Sequence, residues 1–227
     1  MQSKHILIYG DSNSWGYLDD GSGLRYDKRW PVMMQNHLAQ KTGVNITLIE
    51  EALPGRTSAY PDKQEGPEYN GLPYLRPCLL SHAPVDLVLI MLGTNDCKAR
   101  FEASSDAITD NMVQLAKIVR RTPAGRGKWR EAPSPMVGVI APASLGEKTD
   151  DPSWIRYQEW QGGRAKSQSF FDLLSPKITA LQDDQIFCLN ANDAITPSDK
   201  DPIHWPASEH VKMGQFVADA IAPRLAD

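Results

Sequence analysis

Cysteine is scarce in this sequence, with three residues among 227. Cys78, Cys97 and Cys188 are widely separated, and no pair has the Cys-x-x-Cys spacing. An odd number of dispersed cysteines argues against a disulfide framework and against a zinc site built on closely spaced thiols. We therefore expect reduced thiols, and we assign the chain no metal and no cofactor.

Long apolar runs and a basic excess are also missing. No run approaches transmembrane length, and the N-terminus enters a strand pattern without the basic and apolar regions of a signal peptide. Lys and Arg number 24 against 28 Asp and Glu, and the basic residues are dispersed outside residues 120–130. These features argue against membrane and nucleic-acid partners and predict a soluble cytoplasmic protein.

A chain of this length with 41% hydrophobic residues suits one α/β domain over residues 1–227, with two smaller domains as the alternative. Nearly continuous apolar runs, typical of parallel strands buried on both faces, occur at residues 5–9, 45–49, 85–91, 135–140 and 185–189. Helical patterns lie between or after them, at residues 29–42, 72–81, 104–121, 164–181 and 206–225. Strand and helix therefore alternate, as in a parallel α/β fold.

Proline and glycine break these patterns and predict loops at residues 53–73, 123–135 and 142–163. The last loop contains Trp154, Ile155, Tyr157 and Trp160 in polar surroundings. Such a loop can line a pocket or form a subunit contact. The alternative is an ordered loop that folds its aromatic residues onto its own domain.

Ser12 directly follows the first apolar run, at the edge where a parallel sheet binds ligands. A serine hydroxyl needs a nearby base to act as a nucleophile, and the base needs an orienting group. Asp201 and His204, three residues apart before the last helix, are the natural pair. The alternative is that Asp201 only caps that helix and Ser12 only caps its own.

Two further groups follow predicted strands and can donate hydrogen bonds to an oxyanion. Gly55 lets a backbone N–H approach a substrate closely, and Asn95 carries a neutral amide donor. Each also has a structural alternative. In that case the only role of Gly55 is to permit a turn, and the only role of Asn95 is to hydrogen-bond the backbone of its loop.

These motifs, in this order, resemble the SGNH (GDSL-type) hydrolase family across nearly the whole chain. They are Gly-Asp-Ser-Asn-Ser from Gly10, the Gly55 segment, Gly-Thr-Asn-Asp from Gly93, and Asp-Pro-Ile-His from Asp201. The flanking details, such as Gly-Asp-Ser-x-x-Trp-Gly, are similar to the bacterial arylesterase and acyltransferase branch, which includes perhydrolases. Asn13 after the serine, and a second block without the usual asparagine, depart from the pattern.

The resemblance implies a three-layer flavodoxin-like fold with a five-stranded parallel sheet in the order 2-1-3-4-5. It implies Ser12 as nucleophile, His204 as base and acid and Asp201 as its orienter, with the Ser12 and Gly55 N–H groups and the Asn95 side chain as the oxyanion hole. Asp11 and Tyr17 are expected to contact substrate, although Tyr17 can equally belong to the core. A homo-oligomer is also expected.

The sequence thus predicts a serine esterase for small acyl or aryl esters, with acyl transfer or perhydrolysis as possible side activities. Carbohydrate acetylesterase activity is a close alternative. A non-catalytic α/β binding module is the alternative from another class, because fold does not establish function. A phosphate-binding loop is disfavoured because Asp11 occupies the first turn.

Overall fold

Five parallel strands form the centre of the computed structural model, which describes residues 3–225. In chain order they are β1 (Lys4–Gly10), β2 (Ile46–Ala52), β3 (Leu87–Met91), β4 (Met136–Ala141) and β5 (Ile186–Asn190). Their order in the sheet is β2-β1-β3-β4-β5, and every neighbouring pair is parallel. The predicted sheet order is confirmed.

Eight α-helices lie within residues 3–225. They are α1 (Ser12–Trp15), α2 (Trp30–Thr42), α3 (Gly71–Ser81), α4 (Ser105–Arg120), α5 (Tyr157–Trp160), α6 (Gly163–Gln168), α7 (Phe170–Thr179) and α8 (Ala207–Leu225). In that part of the chain, no helix has the length and apolar character needed to cross a membrane.

The two faces of the sheet bury separate hydrophobic clusters. Leu7 and Tyr9 of β1 face the cluster that contains the buried side chains of α3, α4 and α7. Ile6 and Ile8 face the cluster that contains those of α2 and α8. Because successive strand side chains point to opposite faces, a strand covered on both sides reads as a continuous apolar run. The fold is therefore three-layered, as predicted.

Local sequence explains where α4 begins and ends. The hydroxyl of Ser104 accepts the N–H of Ala107 at 3.2 Å, which caps the helix. Asp106 lies in the first turn, and Lys117 and Arg120 lie in the last, where their charges oppose the ends of the helix dipole. The predicted helix at residues 104–121 is thus confirmed to within one residue at each end.

The predicted helix at residues 164–181 is wrong as a single element, because it is divided into α6 and α7. The break falls at Ser169, whose hydroxyl donates to the carbonyl of Lys166 at 2.9 Å. A serine hydroxyl that bonds a nearby carbonyl competes with the helical hydrogen bonds of the backbone. The predicted loop at residues 142–163 likewise contains α5 and the 3₁₀ turn Glu147–Asp150.

Most aromatic residues of that loop fold onto their own domain. Trp160 is buried in the cluster beneath α3, α4 and α7, and Trp154 packs against the same cluster while partly exposed. Arg156 lies over both rings. Ile155 is 96% exposed, so it is the residue of this group that a subunit contact would use.

Candidate active site

The turn between β1 and α1 presents Ser12 at the carboxyl edge of the sheet. Gly10 ends the strand, and a Cβ atom there would lie 2.2 Å from the Ser14 hydroxyl oxygen, so the turn requires glycine. The Asp11 carboxylate accepts the N–H of Asn13 at 3.0 Å and caps α1. As the first residue of α1, Ser12 has a backbone N–H that finds no acceptor within its helix.

A hydrogen-bonded relay connects Ser12 to the segment before α8. The Ser12 hydroxyl oxygen lies 3.1 Å from His204 Nε2, and His204 Nδ1 lies 2.7 Å from Asp201 Oδ2. The other Asp201 oxygen accepts the N–H groups of Ile203 at 2.8 Å and His204 at 3.3 Å. Burial alone would raise the pKa of Asp201, but the hydrogen bond and charge of His204, with these two amides, hold that pKa below its usual value.

Asn13 holds the two halves of this relay together, a role that the sequence did not reveal. Its side-chain amide donates to the carbonyl of Ile203 at 3.2 Å, and the residue is 2% exposed. A buried amide bonded to the residue before His204 fixes the position of His204 relative to Ser12. The signal in the sequence was a polar side chain directly after Ser12.

Gly55 lies in a tight turn beside Gly10. The turn closes through the N–H of Arg56 and the carbonyl of Leu53 at 3.0 Å, and it is tied to β1 by the N–H of Leu53 and the carbonyl of Gly10 at 3.1 Å. Gly55 has φ +91°, and Pro54 precedes it, as in a type II turn. The turn bond does not use the N–H of Gly55, so this donor is available for a substrate oxygen.

The Asn95 loop is bonded directly to the loop that contains Gly55. The side-chain amide of Asn95 donates to the carbonyl of Arg56 at 3.1 Å, which occupies one of its two hydrogens. The carboxylate of Asp96 accepts both the N–H and the hydroxyl of Ser58. These bonds fix the two candidate oxyanion donors relative to each other.

Arg56 braces the same edge from within the protein. It is 4% exposed, and its guanidinium donates to the carbonyls of Gly10, at 3.3 Å, and Glu51. It also lies 4.4 Å from the centroid of the Tyr9 ring, a cation–π contact. Backbone carbonyls and an aromatic face thus solvate a charge that water barely reaches.

Two buried carboxyl groups lie beneath this edge. Burial raises the pKa of Asp11 to about 7 despite the N–H of Asn13, and burial raises that of Asp96 to about 6 despite the hydrogen bonds of Ser58. Asp11 is 1% exposed, so its carboxylate lies beneath the turn, and its expected contact with substrate stays a prediction. It is a helix cap under the turn.

Tyr17 lies against the candidate base. Its ring centroid is 4.2 Å from that of His204, with the planes tilted by 31°, and the side chain is partly exposed. The structure therefore places Tyr17 at the surface beside the relay, and the alternative of a core residue is not what is found. A ring in this position limits the space around His204.

The chain matches the model of the GDSL-like lipase/acylhydrolase family over residues 8–185. It is 32% identical to a carbohydrate acetylesterase from Sinorhizobium meliloti, with a TM-score of 0.86 over 98% of this chain and 100% of that one. The aryl esterase of M. smegmatis is 30% identical with a TM-score of 0.85 over the same shares. An arylesterase of Vibrio mimicus is 25% identical over 98% of this chain and 90% of its own length.

The pKa of Asp11 predicts how stability changes with pH. Because the folded state raises this pKa from 3.8 to about 7, the folded protein holds the proton more tightly, and stability falls as the pH rises between these values. In Asp11→Asn that fall is reduced by roughly 4 kcal/mol, since the amide keeps an acceptor for the Asn13 N–H without the charge. Urea denaturation from pH 4 to pH 8 measures it.

Asp27→Asn is the matched control, because Asp27 is exposed. Its free energy of unfolding should follow that of the wild type across the pH range. Parallel profiles for Asp11→Asn and the wild type would contradict the proton-binding role of Asp11.

Proposed function

Because the chain belongs to the GDSL-like lipase/acylhydrolase family, we propose that it hydrolyses small acetyl-type or aryl esters through an acyl-enzyme formed on Ser12. The family and the arylesterase relatives make it a carboxylic ester hydrolase. The observation that carries the mechanism is the relay from Ser12 through His204 to Asp201, with bonds of 3.1 Å and 2.7 Å. It supplies a nucleophile, a base and an orienter.

In the acylation step, the Ser12 oxygen attacks the ester carbonyl while its proton passes to His204 Nε2. The Asp201 carboxylate, bonded to Nδ1, holds the ring in the required orientation and stabilises the imidazolium that forms. The intermediate then collapses: the bond to the leaving oxygen breaks, and His204 returns the proton to that oxygen. The products of this step are the free alcohol and an ester on Ser12.

The negative charge of the tetrahedral intermediate requires donors on the side away from His204. We assign this role to the N–H groups of Ser12 and Gly55 and to the remaining hydrogen of the Asn95 amide. The bonds from Asn95 to Arg56 and from Ser58 to Asp96 hold these donors in place before substrate arrives. Preorganised donors stabilise the developing charge without reorganisation.

Deacylation repeats the chemistry with water, which His204 deprotonates for attack on the acyl-enzyme. An alcohol or a peroxide can replace water in this step, which gives acyl transfer or perhydrolysis. The Tyr17 ring supports this option because it covers part of the base. The same ring favours short acyl groups, since it narrows the space beside His204.

Carbohydrate acetylesterase activity is the second candidate. The relative from Sinorhizobium meliloti, at 32% identity, bears that name. The acyl half of the reaction is the same for both candidates, and only the leaving alcohol differs.

Ser12→Ala should lower kcat for nitrophenyl acetate by at least about 10⁴-fold, because no other group replaces the nucleophile. A fluorophosphonate should label the wild type, and peptide mass spectrometry should place the label on Ser12. Ser22→Ala, in an exposed loop, is the control and should keep full activity and labelling. Labelling of another residue, or activity retained in Ser12→Ala, would refute the mechanism.

Asn95→Ala should lower kcat by about 100-fold or more through loss of an oxyanion donor, with KM little changed. Asn36→Ala, on the exposed face of α2, is the matched control. Thermal unfolding of both variants separates loss of the donor from loss of the bond to Arg56. Equal kcat values for the two variants would remove Asn95 from the oxyanion hole.

The space beside Tyr17 predicts the acyl specificity. For nitrophenyl acetate, butyrate and octanoate, kcat/KM of the wild type should decrease with acyl length, and Tyr17→Ala should make that decrease less steep. A peracetylated glucose, assayed for acetate release, tests the second candidate. If Tyr17→Ala leaves the ratio of octanoate to acetate unchanged, Tyr17 does not set the acyl limit.

A further inference from the structure

Three potential metal ligands converge away from Ser12, between the edge strand β2 and helix α3. Cys78 and His82 are four residues apart and face the same side at the end of α3, while Glu51 lies near the end of β2. Their ligand atoms all lie within 4.8 Å of one another. Among residues 3–225, these three residues are the one group of at least three His, Cys, Asp or Glu side chains that lie close enough together to hold one ion.

We propose that Glu51, Cys78 and His82 form a binding site for a single zinc-class divalent cation. A thiolate, an imidazole and a carboxylate are the three ligand types that Zn²⁺ takes in proteins, with one position left for water. Mg²⁺ and Ca²⁺ prefer oxygen ligands alone, so this donor set selects against them. The proposal does not depend on the esterase mechanism, because none of these residues belongs to the relay or the oxyanion hole.

The distances between the ligand atoms are close to those that a tetrahedrally coordinated ion requires. His82 Nε2 and Glu51 Oε1 are hydrogen-bonded at 2.6 Å, whereas the ligand atoms of a zinc ion lie about 3.3 to 3.6 Å apart. The side chains of His82 and Glu51 are 35% and 21% exposed, so both have room for this small separation. Cys78 is buried behind them and supplies the inner ligand.

Coordination must release the thiol proton of Cys78 to solvent. Burial, with the nearby charge of Glu51, raises the pKa of this thiol to about 12, so the free side chain is protonated. A divalent cation provides the charge that stabilises the thiolate, as it does for metal-bound thiols generally. The balance is one cation bound and one proton released from the thiol.

The surroundings supply what a metal site needs beyond its ligands. The Tyr74 hydroxyl donates to Glu51 Oε2 at 3.2 Å, which orients the carboxylate from its far side. Glu51 and Tyr74 also line a cavity of about 500 Å³ that is open to solvent, so solvent reaches the carboxylate side of the site. Bound metal would join α3 to the strand that leads into the Gly55 turn.

Cobalt and zinc binding to the tag-free, chelator-treated full chain test the site. Co²⁺ titration should produce near-ultraviolet thiolate-to-cobalt absorption that saturates at one ion per chain. Zn²⁺ at a hundred times its Kd should raise Tm by about 5 °C or more, since binding to the folded state alone stabilises it.

Cys78→Ser should abolish the thiolate absorption, and His82→Gln, near the surface, should weaken Zn²⁺ binding by at least about tenfold without loss of the fold. Cys188→Ser and His37→Gln are the controls, because their side chains lie elsewhere, and both should bind as the wild type does. Absence of thiolate absorption in the wild type would overturn the proposal. So would a Zn²⁺-dependent rise in Tm that persists unchanged in both ligand variants.

Discussion

The hydrogen bond from the side chain of Asn13 to the carbonyl of Ile203 joins segments 190 residues apart, and the proposed chemistry depends on it. Ser12 follows β1, and His204 lies in the segment before α8. Their contact therefore requires a bond that fixes these two segments against each other. A buried amide does this well because its donor would be costly to leave unsatisfied. The 3.1 Å spacing of the relay is therefore a property of the whole domain.

Buried polar groups beneath the site also fix its segments in position. Asp11, Asp96 and Arg56 are almost fully buried, and each is bonded to the backbone of a loop that carries a proposed site residue. Burial of these groups costs free energy, and the raised pKa values of the two carboxyls record that cost. Burial of the apolar layers on either side of the sheet offsets this free-energy cost. In return, the hydrogen bonds of the buried polar groups fix the positions of the loops.

The sequence predicts the strands of the sheet well, but it does not predict the local break between α6 and α7. Strands buried on both faces carry a strong apolar signal, whereas the break at Ser169 depends on one side-chain bond to Lys166. Ser12, Gly55, Asn95 and the Asp201–His204 pair follow from their positions after strands and from the family resemblance. The cap that Asp11 forms on α1 was not predicted, because a capping residue and a substrate contact look alike in sequence. The proposed metal ligands Glu51, Cys78 and His82 come from a strand and from the end of a helix, so no short spacing in the sequence predicts that they lie together.

The packing of α2 against α8 has a consequence for when the enzyme becomes active. Helix α2 follows the segment that carries Ser12, and α8 follows His204; the two share one layer, and they are among the first and last helices that the ribosome makes. A nascent chain has Ser12 from the start but acquires His204, the proposed base, only near the end of translation. In the proposed mechanism, premature release of the chain before residue 204 would yield a protein with an intact Ser12 and no base to activate it.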